Sequence, residues 1–287
     1  MQTHRGRPKR TFSENSGPGS DKLRAHTSAP PRQQTPFMNS LRRMLDILNL
    51  FKPGQPVIDV ETICSQLGYA QASAYRYVRE LSDVGLLVRL PRGYALGPRV
   101  IELDRHMTEY DPLITCSRDL VDELVARTGM HALISELYSA TVINILQRHG
   151  SETEPLNFGR GRPMALFRSA TSRVILAYLL PRQLKRIYEN NAAEPDLQRL
   201  GPTWKDFSKA MLAIRKQGYA ISAGELDPGK TGLAAPIFDE KSRILGAVTL
   251  VGSNERFGAF SQDYLVKLIT EAAATITARI AAEQPNT

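Results

Sequence analysis

Residues 59–97 read DVETICSQLGYAQASAYRYVRELSDVGLLVRLPRGYALG, and this stretch decides the predicted fold of the first third of the chain. Asp59 is a good N-cap for a short helix that Gly68 can end. The apolar stripe of this helix consists of Val60, Ile63, Cys64 and Leu67. A tight turn over residues 69–71 leads into the next helix, which stops at Gly85. The predicted buried positions of that helix are Ala74, Tyr77, Val78, Leu81 and Val84.

Two short extended runs follow this helix, over residues 86–90 and 94–96. They are joined by Pro91-Arg92-Gly93, which predicts a β-hairpin with a positive charge at its tip. Upstream, the apolar spacing of Leu41, Met44, Leu45, Leu48 and Phe51 is typical of one helix face. The order helix, helix, tight turn, helix, hairpin is that of a winged helix-turn-helix.

The rest of the chain predicts a second, larger unit. Residues 99–110 form a half-apolar linker helix, and Pro112 ends it. Helices are expected at 113–128, 170–180, 184–189, 204–217 and 262–282, and strands at 132–137, 142–147, 219–222, 232–238 and 244–251. Hairpin-paired strands flanked by helices indicate the α+β class with a mainly antiparallel sheet. The expected divisions are an arm (1–39), a winged helix-turn-helix domain (40–98), a linker helix (99–112) and a second domain (113–283).

The composition is that of an ordinary globular protein. The chain has 287 residues, of which 42% are hydrophobic and 23% charged. No apolar run approaches the roughly 20 residues that a transmembrane helix needs. The N-terminus lacks the apolar stretch of a signal peptide, and Cys64 and Cys116 form no CxxC motif. We therefore expect a cytoplasmic protein that has no contact with a membrane.

The net charge of +8 lies entirely in the first hundred residues. Residues 1–40 hold seven Lys and Arg against two acidic residues, and residues 41–100 hold eight against five. A basic front end on a neutral body favours double-stranded DNA as the partner. Basic tails also serve solubility, so charge alone does not decide the function.

The helix after the tight turn carries the candidate DNA contacts on its outward face. A major groove about 12 Å wide admits such a helix. Arg76 is the candidate for a bidentate contact to guanine, Ser73 for phosphate, and Arg92 for the adjacent backbone or minor groove. The full predicted set is Arg42, Ser73, Ala74, Tyr75, Arg76, Arg79, Arg92 and Tyr94. The alternative is a three-helix protein-interaction module with a solvated polar face.

The first 39 residues predict a disordered arm, since they are rich in Gly, Pro, Ser and Thr. Arg5-Gly6-Arg7-Pro8 has the composition of an AT-hook core, in which Arg5 and Arg7 enter a narrow A·T minor groove. The alternative is a generic basic arm that adds nonspecific, salt-sensitive affinity.

Two blocks resemble the IclR family of bacterial transcriptional regulators, and the resemblance extends over nearly all of residues 40–282. Residues 60–103, VETICSQLGYAQASAYRYVRELSDVGLLVRLPRGYALGPRVIEL, look like the winged helix of that family. Residues 218–252, GYAISAGELDPGKTGLAAPIFDEKSRILGAVTLVG, are similar to its effector-domain signature. The resemblance implies a GAF-like effector domain, a homodimer or dimer of dimers, and control of genes, often catabolic, by a small organic acid.

By position, the resemblance implies an effector pocket formed by Ala170, Thr171, Ser222, Gly232, Thr249 and Val251. Family members that hold small acids tend to have an acidic residue, a Cys and two Ser at the last four positions. Because this chain departs from that pattern and has Met164 and Phe167 nearby, we expect a roomier, more apolar pocket for an aromatic or larger acid. Arg168, Arg173 or the helix N-terminus can pair with the carboxylate. Alternatively, both arginines are surface charges and the apolar residues are core.

Residues 224–231, GELDPGKT, match the phosphate-loop pattern GxxxxGK[ST], but the context argues against a nucleotide site. A phosphate loop leads into a helix, whereas Thr231 leads into an apolar run containing Pro236, which predicts a strand. Glu225 and Asp227 would also place negative charge in a cradle for anions. The sequence contains neither a GxSxG elbow nor metal-ligand spacing, so we expect no enzyme activity, no catalytic residues, no cofactor and no metal site.

The leading hypothesis is a regulator that binds a pseudo-palindromic operator and responds to an organic acid through the linker helix. The first rival is an architectural protein that coats A·T-rich DNA through its arm. The second rival is a nucleotide-dependent enzyme.

Overall fold

A computed structural model describes residues 39–138, 141–151 and 156–283. The N-terminal elements are α1 (Ser40–Asp46), a 3-10 turn (Ile47–Leu50), α2 (Val60–Leu67), α3 (Gln71–Asp83), β1 (Leu87–Leu90) and β2 (Gly93–Leu96). The strands β1 and β2 form an antiparallel hairpin. This order is the predicted winged helix-turn-helix. The proposed minor-groove residues Arg5 and Arg7 lie outside the described residues.

The helix α2 begins and ends where the sequence predicts, and the turn of the hairpin lies where it is predicted. Asp59 Oδ1 accepts a hydrogen bond of 2.7 Å from the Thr62 amide at the start of α2, and this bond lowers the pKa of the Asp59 carboxyl. Gly68 ends α2 with a φ of +67°. At the hairpin, Gly93 has a φ of +143°, and a Cβ there would stand 2.3 Å from the carbonyl oxygen of Ile58. Only glycine fits this close approach.

The N-terminal core corrects two expectations about buried side chains. Leu41 is 56% exposed and Val84 is 60% exposed, and Leu45 is exposed as well. Ile47 and Leu50 are buried instead. The reason is that the helix tightens after Asp46 into a 3-10 turn, whose period of about three residues turns these two side chains toward α2 and α3.

The linker helix α4 (Arg99–Tyr110) has the predicted bounds. The single helix expected at 113–128 is instead divided into α5 (Pro112–Thr115) and α6 (Arg118–Thr128). Ser117, between them, is buried and donates its hydroxyl hydrogen bond to the Leu113 carbonyl. A side chain that bonds the backbone of the preceding turn in this way disturbs helix continuity.

The C-terminal part is built on a six-stranded antiparallel sheet with the order β5-β4-β3-β8-β7-β6. Its strands are β3 (His131–Tyr138), β4 (Thr141–Arg148), β5 (Pro163–Met164), β6 (Ala220–Ala223), β7 (Lys230–Phe238) and β8 (Ile244–Ser253). The two-residue strand β5 is not predicted from the sequence. The sheet together with its helices is the expected α+β architecture.

Helices cover both faces of this sheet. The helices α6 and α12 (Gln262–Glu283) bury one face, in a cluster that includes Leu124, Ile134 and Ile276. The other face packs against α7 (Ala170–Tyr178). The other helices in the described part of the chain are α8 (Pro181–Asn190), α9 (Pro195–Leu200), α10 (Trp204–Gln217) and α11 (Asn254–Gly258). Of these, α9 and α11 are not predicted. Within the described ranges, no helix has the length and apolar character to cross a bilayer.

The strand β7 extends beyond its outer neighbour. β6 pairs with β7 only as far as Ala234, whereas β8 accompanies β7 to Phe238. In the remaining stretch Pro236 has no N–H group, and the Phe238 amide donates a hydrogen bond of 3.1 Å to the Thr277 hydroxyl of α12. A proline is compatible with β7 because this part of the strand lacks a partner on its outer side.

Candidate nucleic-acid interface and ligand cavity

The helix α3 presents a polar, basic face to solvent. Tyr75, Arg76 and Arg79 are exposed, and Ser73 is half-buried near the helix N-terminus. The Arg76 guanidinium lies 5.2 Å from the ring centroid of Tyr77. Arg79 forms only an exposed 3.7 Å ion pair with Asp83, which holds the guanidinium weakly. These side chains are therefore accessible to a ligand along one side of α3.

Ala74 is a correction to the predicted contact set. Its side chain is 0% exposed and belongs to the core cluster with Tyr77, Val78 and Leu81. On a helix, positions three and four residues apart share one face, so Ala74 points inward with Tyr77 and Val78. It cannot contact DNA.

An open groove of about 700 Å³ separates the start of α3 from the hairpin. Three of the candidate DNA contacts, Tyr75, Arg92 and Tyr94, line it, and so do Gln71 and Arg89, which were not among the candidates. Arg89 could have been found from its place on β1, where only Leu87 is buried. Arg42 is exposed on α1 but is not among the lining residues.

Tyr94 also holds the hairpin to the rest of the N-terminal elements. Its amide donates to the Ile58 carbonyl at 2.7 Å, and its carbonyl accepts from the Ile58 amide at 2.9 Å. Its ring packs against the core and is half-buried. The hairpin, with Arg92 at its tip, is thus tied to the segment that precedes α2.

A second candidate site is a small cavity between the sheet and the start of α7. Seven of the nine predicted effector residues line it: Met164, Ala170, Thr171, Ser222, Gly232, Thr249 and Val251. The Thr171 and Thr249 hydroxyls are 2.8 Å apart, and the Ala170 amide donates to Ser222 Oγ at 3.2 Å. The inner end of the cavity is therefore polar.

The cavity is smaller than the sequence predicts. The space that admits the centre of a water molecule is about 20 Å³, enough for roughly one water. Glu225, Leu226, Asp227, Lys230 and Phe158 also line it. The sequence analysis did not assign these residues to the cavity, because they come from loops whose path has no periodic signal.

Phe167 and Arg168 do not line the cavity. Phe167 is buried and packs edge-on against Phe207, with the ring centroids 6.2 Å apart. Arg168 donates to the Glu225 carbonyl and lies 3.7 Å from Asp196. Both residues line a neighbouring space of about 230 Å³ with Arg173, Arg199 and Glu225.

Arg173 is not a surface charge either, because its side chain is only 15% exposed. Its guanidinium spans the Glu225 carboxylate, with one hydrogen bond of 2.9 Å to Oε1 and a second bond to Oε2. Its Nε donates to the Phe167 carbonyl at 3.2 Å. The arginine is thus held in a fixed, fork-shaped orientation.

The segment 224–231 forms no phosphate cradle. It runs directly into β7, which begins at Lys230, so no helix N-terminus follows it. The Gly224 amide donates to the Lys230 carbonyl at 2.8 Å and closes the segment into a loop. The prediction that this motif precedes a strand is confirmed.

Residues 156–162, which we call the connector, join the cavity to α4. Asn157 Nδ2 donates to Asp227 Oδ1 at 2.5 Å on the cavity side. Three residues on, Arg160 donates to the two Asp104 carboxylate oxygens at 2.8 and 3.0 Å, and to the Thr108 hydroxyl at 2.9 Å. Arg160 Nε also donates to the Ile145 carbonyl at 2.6 Å. One short segment therefore contacts both the cavity loop and the linker helix.

Two groups near the linker have shifted pKa values. Burial raises the pKa of Glu136 on β3, and the Asp111 carboxylate at the end of α4 raises it further. Burial raises the pKa of the Cys116 thiol to about 11, so this cysteine stays protonated at neutral pH. In the part of the chain that the structure describes, no group of His, Cys, Asp and Glu is placed to hold a metal ion.

Comparison with known proteins identifies the family. The profile of the bacterial transcriptional regulator IclR C-terminal domain matches residues 106–278, and that of the IclR helix-turn-helix domain matches residues 40–91. The HTH-type transcriptional regulator RhmR of Escherichia coli K12 is 25% identical over 227 residues, which is 79% of this chain and 87% of RhmR.

Solved structures share the fold. An IclR transcriptional regulator from Silicibacter sp. TM1040 superimposes with a TM-score of 0.71 at 23% identity, covering 86% of this chain and 100% of that one. An IclR homologue from Microbacterium hydrocarbonoxydans, solved with 4-hydroxybenzoate, gives 0.68 at 21% identity, covering 85% and 100%. The matched families consist of transcriptional regulators rather than enzymes. The chain belongs to the IclR family of bacterial helix-turn-helix transcriptional regulators.

Proposed function

We propose that this regulator binds a pseudo-palindromic operator as a homodimer or dimer of dimers, and that a small organic acid changes its affinity for that operator. It acts on double-stranded DNA in the cytoplasm and controls catabolic genes. The observation that carries the proposal is the exposed basic face of α3 beside a hairpin whose tip bears Arg92. A helix and a wing in this arrangement fit one major groove and its flanking backbone.

Different side chains make different kinds of contact to DNA. Arg76 reads a guanine in the major groove, Ser73 and Arg79 contact phosphates, and Tyr75 borders the groove toward the wing. Arg92 and Arg89 reach the adjacent backbone. Arg42 and the arm residues Arg5 and Arg7 add electrostatic affinity that does not depend on sequence. The proposed DNA-binding domain is 40–98, the linker 99–112 and the effector domain 113–283, and the separate hydrophobic clusters support this division.

A second copy of the chain covers the apolar residues left exposed on α1 and α4. None of the residues of α4 is buried, and its Ile101 is 73% exposed. Leu41 and Leu45 on α1 are exposed too. Two helices with several exposed apolar side chains each are compatible with a protein interface. A two-fold pair would present two α3 helices to half-sites about 34 Å apart or a multiple of that distance.

The effector is an organic acid, and an aromatic acid is the first candidate. The Microbacterium neighbour that shares this fold was solved with 4-hydroxybenzoate. The cavity has hydroxyls from Thr171 and Thr249 at one end, which suit a polar group of the ligand. Ligand binding changes DNA affinity through the connector, since Asn157 and Arg160 contact the cavity loop and α4 respectively.

Footprinting tests the proposal on the intergenic DNA beside the regulator's own gene, with and without a panel of aliphatic and aromatic acids that includes 4-hydroxybenzoate. We expect protection of two half-sites in phase with the helical repeat, and one acid that changes this protection. Uniform coverage of A·T-rich DNA without a response to any acid would instead identify an architectural protein.

A further inference from the structure

The cavity in the effector part is small, and one loop forms part of its wall. Residues 224–230, which we call the closing loop, place Glu225, Leu226 and Asp227 against the cavity. Since the space left is about 20 Å³, an organic acid fits only if lining residues move, and Glu225, Leu226 and Asp227 belong to a lining segment outside the helices and strands. The bonds that hold the closing loop therefore control access to the site.

The strongest of these bonds are made by arginine side chains. Arg173 holds the Glu225 carboxylate in a two-pronged ion pair, and Arg168 holds the Glu225 carbonyl. The Glu225 side chain is about two-thirds buried in this pair, with 32% of it exposed. An Arg–carboxylate pair of this geometry is well matched in shape as well as charge.

Glu225 is also the partition between two spaces. It lines the cavity, and it lines the neighbouring space of about 230 Å³ that contains Arg168, Arg173 and Arg199. Three arginines there face two carboxylates, those of Glu225 and Asp196. If Glu225 leaves, the two spaces join and Arg173 faces the joined space with an uncompensated charge.

We propose that the Arg173–Glu225 ion pair is a latch, and that the carboxylate of an organic acid opens it by taking the place of Glu225 on Arg173. This inference rests on the proposed function, and it adds which residue recognises the acid and what the acid must displace. The fork of Arg173 stays oriented during the exchange, because its Nε is held by the Phe167 carbonyl at 3.2 Å. The released loop then moves Asp227, and with it the hydrogen bond to Asn157 of the connector.

The latch favours a negatively charged ligand over a neutral one of the same shape. A neutral isostere of the acid cannot replace Glu225 without leaving Arg173 unpaired in a largely buried position, which is costly. The competing arrangement is one in which the α7 N-terminus or Lys230 takes the carboxylate and Arg173 keeps Glu225. If the acid takes the place of Glu225 on Arg173, removing the Glu225 charge should raise the affinity for the acid. If Arg173 keeps Glu225, removing that charge should not raise it.

The test measures binding of benzoate and of benzamide, its neutral isostere, by calorimetry to the full chain and three variants. Glu225→Gln preserves the side-chain shape and removes the competing charge, so benzoate affinity should rise by about tenfold because the open state is more populated. Arg173→Gln should lower benzoate affinity by at least about tenfold without lowering the affinity for benzamide. The control is Arg243→Gln, which removes a different ion pair, with Asp239 at 2.6 Å, and should change neither.

A second readout needs no ligand. Hydrogen exchange of the amides in residues 224–230 should be faster in Glu225→Gln than in the unmodified chain, whereas Arg243→Gln should leave it unchanged. This readout also covers the case in which Arg173→Gln fails to fold.

Each outcome decides between the alternatives. Equal benzoate affinity in the unmodified chain, Glu225→Gln and Arg173→Gln would overturn the latch and leave the proposed function standing. Unchanged exchange of residues 224–230 in Glu225→Gln would overturn it as well. Failure of every acid in the footprinting panel and of benzoate to bind even Glu225→Gln would overturn the acid-responsive function itself, and the latch with it.

Discussion

We expect that removing the Arg160 side chain weakens the coupling between ligand binding and DNA binding. Arg160 makes a two-pronged ion pair with Asp104 and further hydrogen bonds to Thr108 and to the Ile145 carbonyl. The Arg160 and Asp104 side chains are 36% and 51% exposed, so solvent screens the pair and it contributes only about 0.5–1 kcal/mol. The bond to the partly buried Ile145 carbonyl adds about 1 kcal/mol. We therefore expect Arg160→Gln to cost about 1–2 kcal/mol of unfolding free energy.

The larger effect should be on the response to the acid. Coupling between two sites is typically about 1–3 kcal/mol, and a loss of about 1.4 kcal/mol removes a tenfold change in affinity. In Arg160→Gln, the acid that alters the footprint should still bind, but should change operator affinity less than about threefold. The assay is fluorescence anisotropy of labelled operator, titrated with and without the acid, with ligand binding measured separately by calorimetry.

A matched control separates this role from general stability. Arg148 pairs with Asp122 at 2.6 Å, and these side chains are 38% and 56% exposed, close to the values for Arg160 and Asp104. Arg148→Gln should lose similar stability and keep the full response, because this pair does not involve α4. If Arg160→Gln responds to the acid as strongly as Arg148→Gln, the connector does not transmit the signal.

Four further predictions follow from other parts of the chain. Arg76→Ala should lose about 1–3 kcal/mol of specific operator affinity in anisotropy titrations, and unchanged discrimination between operator and random DNA would exclude it from base readout. Deleting residues 1–35 should flatten the salt dependence of DNA binding without changing the footprint, and a shifted footprint would mean that the arm reads bases. Gly232→Leu should abolish acid binding in calorimetry and spare operator binding, because a Cβ at Gly232 would already stand 3.3 Å from Ser222 Oγ; a normal acid response would place the ligand elsewhere. Asp239→Asn should lower stability by about 1–2 kcal/mol at pH 7, because hydrogen bonds from Arg243 and Lys241 outweigh burial and lower the pKa of Asp239. This contribution is present above about pH 4 and is lost as the pH falls through the lowered pKa. A difference in urea unfolding between the two proteins that does not depend on pH would contradict the prediction.

The long elements were predictable because each has a periodic apolar face and a clear stop. The linker helix α4 and the helix α10 have the predicted bounds, since Pro and Gly residues mark their ends. The six-residue helix α9 and the two-residue strand β5 were missed, because segments this short contain less than two full periods of their pattern. The inward face of the first helix was wrong because a 3-10 turn changes the period within the segment.

The candidate sites were predictable only in part. The inner wall of the cavity followed from the family resemblance, which matches regular strands and the start of α7. The Arg173–Glu225 pair was not predictable, because 52 residues separate the partners and no local pattern relates them. Ala74 was assigned both to the core and to the DNA contacts, and helical geometry permits only the first. Side chains on loops, such as Phe158 and Asp227, were missed because a loop's path depends on tertiary contacts.

The outer edge of β7 beyond β6 has a consequence for how copies of this protein can associate. An uncovered strand edge can pair with strands of other molecules, and this pairing promotes aggregation. Here Pro236 has no amide hydrogen to offer, and the amide of Phe238 is already used by Thr277. An incoming strand would find no regular ladder of donors along this stretch. Open-ended sheet growth from this edge in a crowded cell is thereby disfavoured.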